Sequence, residues 1–170
     1  MQEDPYALRP GEVAVELPAA TDAGVYFIGT IRTPWRVRGD CPRRGSPDGP
    51  LCSIEVDERW RAALTDLARH ARIQVLYWMH QARRDLVLQT PFRTGQTTGS
   101  FALRSPVRPN PIASSVVDLV AVEGTTLRVR GLDCLDGTKL IDLKPERGRN
   151  GTTVVAQAEP GGHQWQEDVP

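Results

Sequence analysis

The chain has 170 residues, a length that fits one domain with its own apolar core. Its 21 basic and 21 acidic residues cancel, which argues against a protein that coats nucleic acid through bulk charge but leaves a local basic patch possible. The three cysteines form no Cys-x-x-Cys pair, so we expect them to be reduced. The first residues lack the apolar core of a signal peptide, and no apolar run is long enough to cross a bilayer, so we expect a cytoplasmic protein.

The first part of the chain predicts one strand and one long loop. Residues 1–23 are charged and interrupted by proline, and we expect a loosely ordered lead-in with a short strand near residues 13–17. Residues 25–32 are aromatic and β-branched, which predicts a strand. A glycine- and proline-rich loop follows and carries five arginines: Arg32, Arg36, Arg38, Arg43 and Arg44. These charges repel one another unless an anion lies nearby, although a solvated, mobile loop is the plainer interpretation.

Residues 57–71 show the clearest helical pattern in the sequence. Trp60, Leu64 and Leu67 recur at the spacing of one buried helix face, and Asp57 is suited to cap the first turn. We expect this helix to serve packing rather than chemistry.

Residues 72–80 alternate as a strand does, with Ile73, Val75 and Tyr77 on one face. His80 and Gln81 come at the end of this strand, where side chains can leave the core. Residues 83–98 are expected to form a loop, because their apolar middle is too short to predict a strand.

The segment from residue 99 to 117 is the most distinctive in the chain, because it sets Arg104, Arg108 and Asn110 among three prolines. Each proline fixes its own φ and disfavours helix in the residue before it, so this loop is stiff. A stiff loop with planar donors suits a polar ligand, but an ordinary proline-rich surface loop is an equal alternative.

The remainder predicts short strands joined by tight turns. Strands are expected at residues 112–122, 126–130, 140–143 and 152–156, with turns at Gly124 and at Asp136-Gly137. Together these elements predict a mainly β (α+β) fold: a single compact antiparallel barrel with one main helix.

Several familiar catalytic patterns are missing from the sequence. It has no Gly-x-Gly-x-x-Gly fingerprint, Walker loop, His-Glu-x-x-His or Gly-x-Ser-x-Gly motif, and its histidines and cysteines are too scattered to predict a metal site. The polar residues near turns are carboxylates, amides and arginines, without an activated nucleophile. This set suits binding and orienting a polar ligand rather than covalent catalysis.

Four segments together resemble a known family: residues 28–34 (IGTIRTP), 78–82 (WMHQA), 99–112 (GSFALRSPVRPNPI) and 131–145 (GLDCLDGTKLIDLKP). The chain is similar over residues 25–145 to the TrmO/YaeB/TsaA-like family, whose characterised enzymes methylate N6 of threonylcarbamoyladenosine in tRNA. The resemblance implies a homodimeric, non-Rossmann β-barrel that binds S-adenosylmethionine. It also implies a family domain at residues 24–158, between the lead-in and a tail at residues 159–170.

The resemblance also implies roles for individual residues. The cofactor would lie against Pro42, Arg43, Arg44, His80, Gln81, Arg104, Ser114, Leu132, Asp133 and Asp136. The acceptor would be oriented by Asn110, Asp142 and Lys144, and RNA phosphates would lie near Arg36, Arg38 and Arg108. Arg104 is the arginine expected to bind the cofactor's carboxylate.

This chain departs from the family pattern at three motif positions, where it has Arg44, Lys139 and Glu146 in place of the usual glutamine, proline and tyrosine. Two alternatives to tRNA methylation therefore stay open. One is the same barrel and cofactor acting on a different acceptor, and the other is a non-catalytic, cofactor-binding regulatory module.

Overall fold

The computed structural model describes residues 7–92 and 94–146, and within them strands dominate. The strands are β1 (Val13–Ala14), β2 (Gly29–Arg32), β3 (Cys52–Val56), β4 (Arg72–Trp78), β5 (Leu86–Gln89), β6 (Thr98–Gly99), β7 (Ile112–Glu123), β8 (Thr126–Arg130) and β9 (Lys139–Pro145). Six of them close into an antiparallel barrel in the order β2-β3-β8-β7-β4-β9, while β1, β5 and β6 form a small separate sheet. The predicted mainly β, barrel-type fold is confirmed.

The core fills the inside of the barrel with alternate residues of each strand. Ile73, Val75 and Tyr77 of β4 are buried, as the alternation predicts, and they meet Ile54 of β3 and Leu127 of β8 in one apolar cluster. Since successive side chains of a strand point to opposite faces, the other face of β4 is left for the barrel's outer surface.

Two irregularities in strand pairing help the barrel to close. The β7–β8 register shifts between Leu119 and Ala121, and the β4–β9 register shifts between Leu76 and Tyr77. An extra residue on one strand bends it and increases its twist, which a closed barrel needs.

The second half of the barrel follows the sequence closely. Strands β7, β8 and β9 lie where they are predicted, although β9 is longer at both ends. Gly124 and Gly137 have φ values of 64° and 79°, so both predicted turns use glycine's left-handed conformation. The strand predicted at residues 152–156 lies outside the described residues.

The helical prediction is right in place but wrong in kind. Residues 58–69 form two 3-10 helices, Glu58–Leu64 and Leu67–Arg69, instead of one α-helix. Asp57 is the N-cap residue but its side chain makes no capping hydrogen bond, and Asp66 adopts a left-handed conformation with φ 64°. Thr65 and Asp66 are weak helix formers, and aspartate tolerates the left-handed conformation. The helix therefore breaks at these two residues, between Leu64 and Leu67, which both pack in the core cluster.

Two strands of four or more residues are not predicted from the sequence, in addition to the two-residue β6. β3 follows a proline- and glycine-rich loop and has only five residues, so its sequence carries a weak signal, yet it pairs with both β2 and β8. β5 lies in the segment predicted as a loop, and it pairs with β1 and β6. In both cases the partners that define the strand are distant in sequence.

The strand predicted at residues 25–32 begins later, at Gly29. Tyr26 and Phe27 are exposed, and their rings lie against Trp60 and Trp78 at centroid distances of 6.5 and 6.3 Å. β2 pairs with β9 through Gly29 and Thr30, and Ile28 N–H still donates to the Leu140 carbonyl of β9 at 2.9 Å, so the hydrogen bonds to β9 reach one residue before the strand.

Candidate functional site

A cavity of about 730 Å³ opens beside the carboxyl end of β4. Its size falls within the range of small-molecule sites, which is roughly 300–1,000 Å³. Residues from four parts of the chain line it: 7–10 and 12, 79–83 and 86, the pair Pro106 and Val107, and 133–135 and 138, with Arg38 and Cys41 at its side. It therefore lies where the small sheet and the stiff loop meet the barrel.

The end of β4 turns sharply into the cavity. Met79 N–H donates to the carbonyl of Pro111 at 2.8 Å, and Ala82 N–H donates to the carbonyl of Met79 at 3.0 Å. This turn carries the exposed His80 and Gln81 out of the sheet and into the cavity wall, as the sequence predicts.

Asp133 is held by two hydroxyl groups from the barrel wall. Its Oδ1 accepts a 2.6 Å hydrogen bond from the Tyr77 hydroxyl and lies 3.1 Å from the Ser115 hydroxyl. Burial and the charge of Asp133 raise the pKa of Tyr77, so its hydroxyl stays protonated and donates. Within the described residues, Oδ2 of Asp133 has no protein donor, and this carboxylate lines the cavity. The arrangement fixes the carboxylate and leaves one oxygen for a ligand's hydroxyl or amino group.

Two cysteines line the cavity as thiols. Burial raises the pKa of Cys134 to about 12, and burial together with the charges of Asp133 and Asp40 raises the pKa of Cys41. Because the thiolate is the nucleophile, neither group is activated for covalent chemistry at neutral pH.

The stiff loop is tied to the small sheet by buried polar side chains. Gln89 Nε2 donates to the Val107 carbonyl at 2.6 Å and to the Ser100 hydroxyl at 2.7 Å, and that hydroxyl donates to the carbonyl of Leu86 at 2.7 Å. Val107 and Leu86 both line the cavity, so Gln89 fixes the distance between two of its walls. No local pattern singles out Gln89, because its hydrogen-bond partners lie 11 and 18 residues away.

The arginines separate into different environments. Arg36 and Arg38 are both exposed on the same loop, but only Arg38 lines the cavity. Arg108 donates to the carbonyls of Ser100 and Leu103, so its guanidinium stabilises the stiff loop. Its expected contact with RNA remains a prediction.

Arg104 lies away from the cavity and next to another predicted residue. Its Nη2 lies 3.4 Å from the carbonyl oxygen of Ser114, and Ser114 Oγ accepts a hydrogen bond from Gln74. Gln74 belongs to the outward face of β4, so this pair lies on the outer surface of the barrel. The structure thus brings Arg104 and Ser114 together, but not with Asp133.

The Pro42-Arg43-Arg44 segment is fixed beside the cavity without lining it. A Cβ atom at Gly45 would come within 1.7 Å of the Gly131 carbonyl oxygen, so only glycine allows this close approach. Arg43 and Arg44 are exposed. Gly131 directly precedes Leu132 and Asp133, which explains why the two predicted segments lie near each other.

The other predicted residues fall outside the cavity. Leu132 is buried in the core, and Asp136 accepts a hydrogen bond from Thr33 N–H at 3.2 Å. Asn110 is exposed, and Asp142 pairs with Lys144 at 2.5 Å on the half-exposed surface of β9. Of the predicted cofactor residues, His80, Gln81 and Asp133 line the cavity.

Over residues 7–92 and 94–146, no helix has the length and apolar character needed to cross a membrane. In that same part of the chain, no group of three or more histidine, cysteine, aspartate or glutamate side chains is placed to hold a metal ion.

Comparison with known proteins finds a family that matches most of this chain. Residues 30–147 match the model of the tRNA-methyltransferase O N-terminal domain. A "Probable S-adenosyl-L-methionine-binding protein VirR" of Rhizobium radiobacter is 52% identical over 140 residues, which cover 82% of this chain and 80% of that protein. A "Probable S-adenosyl-L-methionine-binding protein" of Archaeoglobus fulgidus is 39% identical over 69% of this chain and 32% of its own length.

A solved structure is also similar to this chain. The crystal structure of TrmO from Pseudomonas aeruginosa superposes with a TM-score of 0.61 at 31% identity. The match covers 77% of this chain but only 57% of that one, so this chain spans little more than half of the solved protein.

Proposed function

The chain belongs to the family of the tRNA-methyltransferase O N-terminal domain, and from this membership we propose that it is an S-adenosylmethionine-dependent methyltransferase whose acceptor is N6 of threonylcarbamoyladenosine in tRNA. The observation that carries the proposal is the cavity wall formed by His80, Gln81 and Asp133, which come from two separate family motifs. Relatives named for S-adenosylmethionine binding support the choice of cofactor.

The residues of the cavity fit this cofactor chemically. The free oxygen of Asp133 can accept from an amino or ribose hydroxyl group, and the Arg38 guanidinium can bind a carboxylate. Met79, Val107 and Leu135 supply apolar surface for a purine ring. This assignment moves the carboxylate partner from Arg104, as expected from the sequence, to Arg38. When bound, the cofactor supplies an electrophilic methyl group on a sulfonium.

The protein's part in such a reaction is alignment. The cavity walls would shield a bound molecule from water, and the carboxylate of Asp133, held by the Tyr77 hydroxyl, would orient it. Asn110, Asp142 and Lys144 stay the proposed acceptor-orienting residues, and Arg36 and Arg108 the proposed phosphate contacts.

A homodimer is part of the same proposal. The outer face of β7 exposes Ile112, Val116 and Val120, and the Arg104–Ser114 pair lies on the same side of the barrel. A second copy placed there would cover apolar surface and could bring this pair toward the partner's cavity, which accounts for the separation of the predicted cofactor residues.

The test is transfer of a labelled methyl group from S-adenosylmethionine to tRNA. We expect label in tRNA that carries threonylcarbamoyladenosine and none in the same tRNA transcribed without modification. Label in neither RNA, from a protein that binds S-adenosylmethionine, would contradict the tRNA assignment. It would favour a different acceptor, because Arg44, Lys139 and Glu146 stand where the family usually has glutamine, proline and tyrosine.

A further inference from the structure

The segment of residues 7–12 lies outside the part of the chain that matches the family model, yet it lines the cavity. We infer that this N-terminal segment is a wall of the ligand site and that Glu12 is the positioning residue that holds it there. The inference rests on the proposed function, because it assigns the segment to the same S-adenosylmethionine site.

The side chain of Glu12 is buried and hydrogen-bonded to its neighbours. Its side chain is only 2% exposed, although the side chain of its partner Arg9 is 48% exposed. Oε1 accepts hydrogen bonds from Arg9 Nε at 3.0 Å and from Thr90 N–H at 3.2 Å, and Oε2 accepts one from Arg9 N–H at 3.1 Å. The carboxylate therefore links Glu12 to Arg9 within the segment and to Thr90, the residue that follows β5.

These bonds keep Glu12 ionised. Burial acts to raise its pKa, but the hydrogen bonds from Arg9 and Thr90 outweigh burial and the pKa is lowered. A buried carboxylate with several charge-assisted bonds is a strong attachment, and removal of the carboxylate leaves its donors unpaired.

Further hydrogen bonds to backbone groups attach the segment and the residues directly after it. The Thr90 hydroxyl donates to the Pro10 carbonyl at 2.9 Å, and Val15 N–H donates to the Asp85 carbonyl at 2.8 Å. Gly11 has a φ of 82°, and a Cβ atom there would lie 2.4 Å from Thr97 Oγ1. Glycine is therefore required for the segment to pass this close to the small sheet.

The attachment places side chains on the cavity. Ala7, Leu8, Arg9 and Pro10 line it together with Glu12 itself. These residues can contact a ligand only while the segment is docked. The measured Kd is therefore the Kd of the docked form divided by the fraction of molecules in which the segment is docked. The chain offers a matched contrast: Glu58 and Arg61 form the same pair at the same three-residue spacing, but on the exposed surface.

The experiment uses the full chain and S-adenosylmethionine itself. Calorimetry measures the Kd of the wild type, Glu12→Ala, Gly11→Ala and the control Glu58→Ala, and hydrogen–deuterium exchange follows residues 7–12 with and without ligand. We expect Glu12→Ala and Gly11→Ala to raise the Kd about tenfold, as for a segment docked in about a tenth of molecules. We expect Glu58→Ala to leave it unchanged.

The exchange measurement separates a wall of the site from a merely structural contact. In the wild type, ligand should slow exchange in residues 7–12, and in Glu12→Ala their exchange should be fast without ligand. Fast exchange in Glu12→Ala with an unchanged Kd would overturn the inference and leave the proposed function intact, as would exchange that ligand does not slow in the wild type. A wild type that binds no S-adenosylmethionine would overturn both.

Discussion

At the scale of single residues, the site depends on hydroxyl groups that the alternation pattern assigns to the core. Tyr77 is correctly predicted as an inward-facing residue of β4, but nothing in the sequence connects it with Asp133, which lies 56 residues later. The structure shows that the hydroxyl end of this buried side chain donates a hydrogen bond to Asp133. Tyrosine is suited to such a position because its ring packs while its hydroxyl finds a partner.

Removal of the Tyr77 hydroxyl should therefore affect ligand binding without emptying the core. In Tyr77→Phe, Asp133 loses its 2.6 Å donor and is held only by the Ser115 hydroxyl at 3.1 Å. We expect the Kd for S-adenosylmethionine to rise about tenfold, or about 1.4 kcal/mol, measured by calorimetry. Tyr26→Phe is the control, because Tyr26 is 82% exposed and, among residues 7–92 and 94–146, its ring contacts Trp60 and its hydroxyl makes no hydrogen bond. Equal affinity in Tyr77→Phe and wild type would show that this hydroxyl does not position Asp133.

At the scale of elements, the reliable predictions are those with long alternation or a glycine turn. β4 and β7 have 7 and 12 residues, Gly124 forms the turn between β7 and β8, and Gly137 forms the turn before β9, so local sequence is enough. β3 and β5 have 5 and 4 residues, and only pairing with distant strands makes them strands. The candidate site shows the same division: His80 and Gln81 follow from the end of β4, whereas the contributions of Gln89 and Glu12 depend on distant contacts.

The connection between β5 and the stiff loop can be tested through Gln89. This side chain is 4% exposed, and Gln89→Leu would leave the Val107 carbonyl and the Ser100 hydroxyl without their donor. We expect the free energy of unfolding to fall by about 1–3 kcal/mol, measured by urea denaturation. Gln96→Leu, at an exposed loop position, should change it little. The same small change in both variants would mean that the buried amide does not tie the loop to the sheet.

At the scale of the whole molecule, the barrel supplies a rigid frame and the irregular segments supply the site. The cavity lies at the barrel's edge, where residues 7–12, the turn after β4, the stiff loop and residues 133–138 come together. Three of these four parts carry family motifs or directly follow them, and the N-terminal segment does not. Such an arrangement allows one barrel to keep its cofactor while the surrounding segments change the acceptor.

The most direct test of the account asks whether S-adenosylmethionine binds in this cavity. Ala82 lines it, so Ala82→Trp would fill part of its volume, whereas Ala62 is exposed on the first 3-10 helix and Ala62→Trp serves as the control. Calorimetric titration of the three proteins with S-adenosylmethionine should show saturable binding to the wild type and to Ala62→Trp, and none to Ala82→Trp. Absence of binding to the wild type, or binding to Ala82→Trp with unchanged affinity, would contradict the account.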